Sequence, residues 1–157
     1  LKSDLELRKD LQSKIPKDYL PMWLREREIE TRQVEPVDLL KAEKLPPFRS
    51  TWMKPTGKLP SDERIHQALL LYVSDMGLLG AAVNPHEVNF MSKKFQSASL
   101  DHVMWFHGKV NFNNWVLHHM HSPISQNARG FSRGSIYTKA GKLIASTAQE
   151  GLMRIWD

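Results

Sequence analysis

Residues 65–79 are apolar almost throughout; the exceptions that matter are His66, Gln67, Ser74 and Asp75. Ser61-Asp62-Glu63 stands just before them, a cap-forming serine followed by acids that suit the positive end of a helix. The pattern predicts a helix with almost no polar face, and such a helix belongs in the middle of its domain. Strand-like segments follow at about 88–95, 98–108, 113–122, 128–138 and 142–155. Gly108-Lys109, Ser122-Pro123 and Ala140-Gly141-Lys142 supply turn residues between them. Consecutive strands with short connections pair antiparallel. The expected fold is therefore α+β, one long central helix wrapped by a curved antiparallel sheet.

Ahead of the helix, residues 1–15 carry Leu1, Leu5, Leu11 and Ile15 near the helical period, and Pro16 stops the pattern. Residues 17–26 read as a connector anchored by Tyr19-Leu20-Pro21-Met22-Trp23. Segments 28–35 and 48–54 read as strands, the second with Phe48, Ser50, Trp52 and Lys54 on one face. Residues 36–47 form a loop and 55–61 a turn.

The 157 residues suffice for one domain with a real core. The absence of cysteine excludes disulfides, thiolate catalysis and cysteine-ligated zinc. The longest run free of charge and strong polarity is residues 68–73, against the roughly 20 residues a membrane span requires, so no membrane partner is expected. The net charge of +5 is spread through interleaved signs, as in Glu6-Leu7-Arg8-Lys9-Asp10. Interleaving cancels the field that phosphate backbones need, so no nucleic-acid partner is expected.

Four places carry potential chemistry. Asp75 is either a helix-end residue before Gly77 or a partly desolvated general base. In a continuous strand Ser97, Ser99, Asp101 and Val103 share one face, so Asp101 and His102 point apart. No Gly-x-Ser-x-Gly elbow is present, and His102 and His107 read as structural hydrogen bonders. His119 and His121 share a strand face, two ligands where a closed zinc site needs four, so no metal is expected. Gln149 lies among small and apolar neighbours, and a buried carboxamide must find partners.

Taken together, Ser99-Leu100-Asp101-His102-x-Met104-Trp105-Phe106-His107, Trp115, Ser122-Pro123, Arg129-Gly130-Phe131-x-Arg133-Gly134-x-Ile136-Tyr137 and Gly141-x-Leu143-x-Ala145-Ser146-x-Ala148-Gln149-Glu150-Gly151-Leu152-x-Arg154 form a specific pattern. It resembles the C-terminal half of the type II acyl-CoA thioesterases, the bacterial thioesterase II and peroxisomal acyl-CoA thioesterase family. His66-Gln67 and Tyr72-x-Ser74-Asp75 match as well. The likeness is dense from about 52 to 154 and looser over 1–51.

The resemblance implies a hotdog fold in a protein built from two hotdogs. It divides this chain into 1–47, a linker with an N-terminal helix and entering strand, and 48–157, the C-terminal hotdog. On this reading the start at Leu1 reflects a missing first hotdog. The implied activity is hydrolysis of fatty acyl-CoA to free acid and CoA by an activated water, without a cofactor. The family's catalytic trio carries over to Asp75 as base and to Ser99 and Gln149 as water-orienting groups; many members have Thr where this chain has Ser99. The implied partners are the acyl-CoA substrate and the first hotdog or a second copy in a homo-oligomer. The implied location is the peroxisome, or the cytoplasm in a bacterium. Two other readings are a non-catalytic hotdog half that dimerises and binds acyl-CoA, and a hotdog hydratase. The second relies on an Asp-His pair, and no His follows Asp75 until His86.

Overall fold

The computed structural model describes residues 1–38, 40–88, 92 and 94–156. Its frame is one antiparallel sheet of seven strands: β1 (Ile29–Gln33), β2 (Phe48–Pro55), β3 (Phe95–Ser99), β4 (Val103–Phe106), β5 (Val116–Gln126), β6 (Arg129–Thr138) and β7 (Leu143–Ile155). The order is β1-β2-β5-β6-β7-β3, and β4 also pairs with β7. Only β5, β6 and β7 form a meander. The chain leaves the helix layer, lays β3 and β4 on β7 at one edge, then crosses to β2 and returns strand by strand. The expected continuous strand over 98–108 is interrupted at Leu100-Asp101-His102. The segment expected at 88–95 reaches the sheet only at Phe95; its residues 89–91 and 93 lie outside the described residues.

The helix layer comprises α3 (Glu63–Ser74) and α4 (Leu78–Val83); α1 (Asp4–Leu11) and α2 (Leu20–Trp23) precede the sheet. The cap of α3 is Asp62, whose carboxylate accepts from the Arg64 N–H, rather than the expected Ser61. The predicted single helix breaks at Asp75-Met76-Gly77. Gly77 has φ +88° and caps α4 in the left-handed conformation, where a side chain would be strained.

One side of this layer packs on the sheet. Leu70 and Val73 meet Ile29, Met53, Val116, Ile136, Ile144 and Ala145. Leu78 and Ala81 meet Met120, while Ala82 and Val83 meet Phe95 and Met153. Gly130 and Gly151 are cross-strand partners under α4. A Cβ on Gly130 would stand 2.5 Å from Ala82 Cβ, and one on Gly151 2.5 Å from a Leu79 methyl. The missing side chains let α4 lie directly on β6 and β7. This is the hotdog arrangement, a helix cradled by a curled antiparallel sheet.

The expectation of burial all round fails. Tyr72 is 64% exposed, and Ile65, Leu71 and Met76 are exposed with it. The sheet covers only one side of the helix, so among the described residues nothing covers its opposite apolar side. By length and composition Glu63–Val83 is apolar enough to cross a membrane, which a count of charge-free runs does not detect. Its Leu70, Val73, Leu78 and Ala81 side is occupied by the sheet.

Two further expectations are corrected. Ser122-Pro123 is a bulge inside β5, not a turn; Ser122 Oγ donates to the Phe131 carbonyl at 2.7 Å. The reversal comes later, at Asn127 and Ala128, both with positive φ. The connector before β1 is not an apolar anchor, because Tyr19 and Met22 are exposed. Its centre is Arg8, 4% exposed, which pairs with Asp4 and donates to the Trp23 and Arg25 carbonyls. Trp23 Nε1 returns a bond to the Arg8 carbonyl at 2.8 Å.

Candidate active site

The break between α3 and α4 decides where Asp75 points. As the C-terminal cap of α3 it leaves the apolar run and reaches the end of β3 and the middle of β7. Its side chain is 51% exposed, so the carboxylate faces solvent on one side and protein on the other. Asp75 Oδ1 accepts from the Gln149 carboxamide Nε2. It also accepts from Ser99 Oγ at 3.4 Å. Gln149 itself is 1% exposed. Its strand position is inward-facing on β7, where Ala145 and Thr147 are buried on the same face. Two side chains, 24 and 74 residues from Asp75 in sequence, thus converge on one of its carboxylate oxygens.

Asp101 and His102 complete the surroundings; the expected continuous strand breaks between β3 and β4, yet the two side chains still point apart. Asp101 Oδ1 accepts the Glu150 backbone N–H at 2.8 Å, and the Leu100 N–H donates to the Glu150 carbonyl at 2.9 Å. The Asp101 carboxylate therefore pins this connection to β7 beside Gln149. His102 turns to the other side of the same connection. Its Nε2 lies 2.8 Å from Ser74 Oγ, its Nδ1 lies 3.3 Å from Gln149 Nε2, and Nδ1 stands 3.9 Å from Asp75 Oδ1. Of the four buried side-chain atoms without a hydrogen-bond partner among the described residues, two, Gln149 Oε1 and Ser132 Oγ, sit on residues directly opposite in the β6–β7 ladder.

The remaining histidines are elsewhere. His66 is buried and its Nδ1 accepts the Phe112 N–H, fixing a loop that delivers Val110 and Phe112 to the core. His107 Nε2 lies 2.8 Å from Ser146 Oγ. His118 is fully buried with Nε2 3.3 Å from Thr147 Oγ1. Desolvation, helped by the nearby His102 and His119, pushes its pKa down to about 3. His119 and His121 have ring centroids 6.5 Å apart, and His119 Nδ1 is engaged with Ser50 Oγ at 3.1 Å. Among the described residues no group of three or more His, Asp or Glu side chains is arranged to hold a metal ion.

Chemically, a half-exposed carboxylate held by a hydroxyl and a buried amide is suited to accept a proton from a water beside it. Sequence reasoning singled out Asp75, Ser99 and Gln149. It assigned nothing to Ser74, although the hydroxyl sits directly beside Asp75 at the end of the apolar run of α3.

Comparison with known proteins bears on the family and the fold. The family model described as acyl-CoA thioesterase matches residues 23–152. Acyl-CoA thioesterase 2 of Haemophilus influenzae is 36% identical over 140 residues, covering 89% of this chain and 49% of that protein. Acyl-coenzyme A thioesterase 8 of Mus musculus is 35% identical over 132 residues, covering 81% of this chain and 39% of that protein. Among solved structures, the acyl-CoA thioesterase II TesB2 from Mycobacterium marinum superposes with a TM-score of 0.65 at 32% identity, over 82% of this chain and 49% of that one. The chain spans about half the length of the relatives it matches or less. With this sheet, this helix break and these matches, the chain belongs to the acyl-CoA thioesterase family.

Proposed function

We propose that the chain carries the hydrolytic site of an acyl-CoA thioesterase, cleaving fatty acyl-CoA to free fatty acid and CoA. The observation that carries this reading is the convergence of Ser99 and Gln149 on Asp75 Oδ1 at the helix break. Asp75 accepts a proton from water as the water oxygen attacks the thioester carbonyl carbon. The tetrahedral intermediate collapses with cleavage of the C–S bond, and the proton leaves on the CoA sulfur. Ser99 and the Gln149 carboxamide fix the carboxylate and the water in line, which removes the entropy cost of a bimolecular encounter. The reaction needs neither a metal nor a cofactor. On this reading Ser99 orients rather than attacks: its hydroxyl donates to Asp75, and among the described residues no histidine stands beside it to take its proton.

The partner surface follows from the same corner of the fold. Tyr72 and Met76 flank Asp75 on the helix, and Leu100, Val103 and Trp105 flank the Ser99–His102 connection at the sheet edge; all are exposed. We infer that a first hotdog, or a second copy of this chain, covers these residues and closes the acyl-CoA pocket over Asp75. Residues 1–47 then serve as the linker that delivers β1 to the sheet, and 48–157 as the hotdog proper. The chemistry is the same in a peroxisome and in a bacterial cytoplasm, the two locations the resemblance implies.

The test is thiol release from a long-chain acyl-CoA followed with a thiol-reactive dye, combined with intact-mass analysis during turnover. The reading predicts thiol release with no mass added to the protein. A trapped acyl adduct on Ser99 overturns the water mechanism, and loss of enoyl-CoA absorbance without thiol release points to hydration instead.

A further inference from the structure

His102 is not used by the mechanism above, yet it is nearly buried, with 17% of its side chain exposed, and both of its ring nitrogens are engaged. Its tautomer is fixed by its neighbours. Ser74 Oγ has two acceptors besides the ring, the Leu71 carbonyl at 2.8 Å, three residues back in α3, and Met104 Sδ at 3.8 Å; its one proton goes to the carbonyl, the nearer and stronger acceptor. Toward His102 the hydroxyl oxygen is left as an acceptor, so His102 Nε2 carries a proton and donates it to Ser74. Nδ1 is then a lone pair.

The other end of the chain of bonds gives the same answer independently. The Gln149 carboxamide must turn its NH2 toward Asp75, since the opposite orientation would set Oε1 against a carboxylate oxygen. The NH2 has two protons. One goes to Asp75 Oδ1, and the second is directed at His102 Nδ1, 3.3 Å away, which can receive it only as a lone pair. Leu71 C=O, Ser74, His102, Gln149 and Asp75 thus form one ordered run in which each donor has one acceptor.

We propose that His102, as the neutral Nε2–H tautomer, is a positioning residue that locks the Gln149 carboxamide with its NH2 on Asp75 and its Oε1 free as an acceptor. The proposal rests on the reading of Gln149 given under Proposed function. It assigns the Asp-His pair a division of labour. Asp101 holds the backbone of β7 through Glu150, and His102 holds the side chain of the residue before it.

Two measurements test it. Nitrogen-15 NMR of the histidine side chains in the 157-residue chain near neutral pH should show His102 with Nε2 protonated and Nδ1 bare; an Nδ1–H tautomer or an imidazolium overturns the proposal. In the hydrolysis assay, His102→Asn places an amide oxygen near the position of Nδ1 and can still accept from Gln149. His102→Gln reaches toward Ser74 but leaves Gln149 without that acceptor. The expected result is that kcat falls about tenfold in the Gln variant, the loss of one hydrogen bond's worth of fixing. The Asn variant recovers most of that loss, and KM is unchanged in both. Equal loss in both variants, or no loss in the Gln variant, overturns it. Full activity in Asp75→Asn would mean that the reading of the site had failed; the hydrolysis arm would then concern a different site, and the tautomer measurement alone would decide the role of His102.

Discussion

The burial of His118 has a consequence for acid stability that can be worked out from the fold. The imidazole lies on β5 under Thr147 of β7, with no solvent contact, and Nδ1 has no partner. Its pKa is held down to about 3, first by desolvation and then by His102 and His119. In the unfolded chain the same group takes its proton near the ordinary value of about 6.5. Between these values the unfolded state binds one more proton than the folded state, so folding stability falls as pH falls. The slope from this group is about 1.4 kcal/mol per pH unit, and the loss on the order of 4–5 kcal/mol by pH 3. Set against a typical domain stability of roughly 5–15 kcal/mol, this is a large share. His118→Gln keeps a polar end near Thr147 but cannot charge. Urea unfolding of both proteins from about pH 7 to 4 should give a curve for the variant that is shallower by close to one proton; other groups contribute equally to both and cancel. Identical slopes, or an NMR titration of His118 near its ordinary value in the folded protein, would refute the reasoning.

Other outcomes follow from the same contacts. Gly130→Ala inserts a methyl 2.5 Å from Ala82 Cβ, a rigid neighbour, so α4 must lift from the sheet; a loss of about 1–3 kcal/mol is expected in chemical unfolding. Activity should fall further than stability alone explains, because α4 begins three residues after Asp75. Ser99→Thr keeps the hydroxyl beside Asp75 and should retain most of kcat, whereas Ser99→Ala should lower it; equal activities of the Ala and Thr variants would remove Ser99 from the mechanism. Tyr72→Asp puts a charge in the centre of the uncovered helix face, and gel filtration should then show loss of any dimer or larger species; an unchanged elution volume would place the interface elsewhere.

Much of the fold was legible because its strongest signals are local. An apolar run preceded by Asp62 and Glu63 can only be a core-facing helix, and strands β5 to β7 are separated by turns with short reach. What failed were arguments that assumed regularity across a break. Apolar residues all round a helix promised burial all round, but a single sheet covers one side and leaves Tyr72 and Met76 out. A continuous strand was expected through 98–108, but the chain leaves the ladder at Leu100; Asp101 takes the Glu150 N–H and His102 turns the other way, to Ser74 and Gln149. Pro123 read as a turn because it cannot donate to a ladder, yet a bulge accommodates it within β5. Val110 and Phe112 were invisible because core residues in a loop have no period to detect. The site residues Asp75, Ser99 and Gln149 were singled out chiefly through family resemblance. Spacing alone left Asp75 between two roles and gave Gln149 a structural one, since their meeting depends on contacts 24 and 74 residues apart.

The central claim is that Asp75 activates the water that cleaves the thioester. Asp75→Asn preserves the size of the side chain and one oxygen for Gln149 while removing its basicity. Measured by thiol release from acyl-CoA under saturating substrate, with circular dichroism and the unfolding midpoint as controls for folding, the variant should lose about 10²–10⁴-fold in kcat with its fold intact. A kcat equal to that of the parent protein, in a variant that is equally folded, would contradict the account.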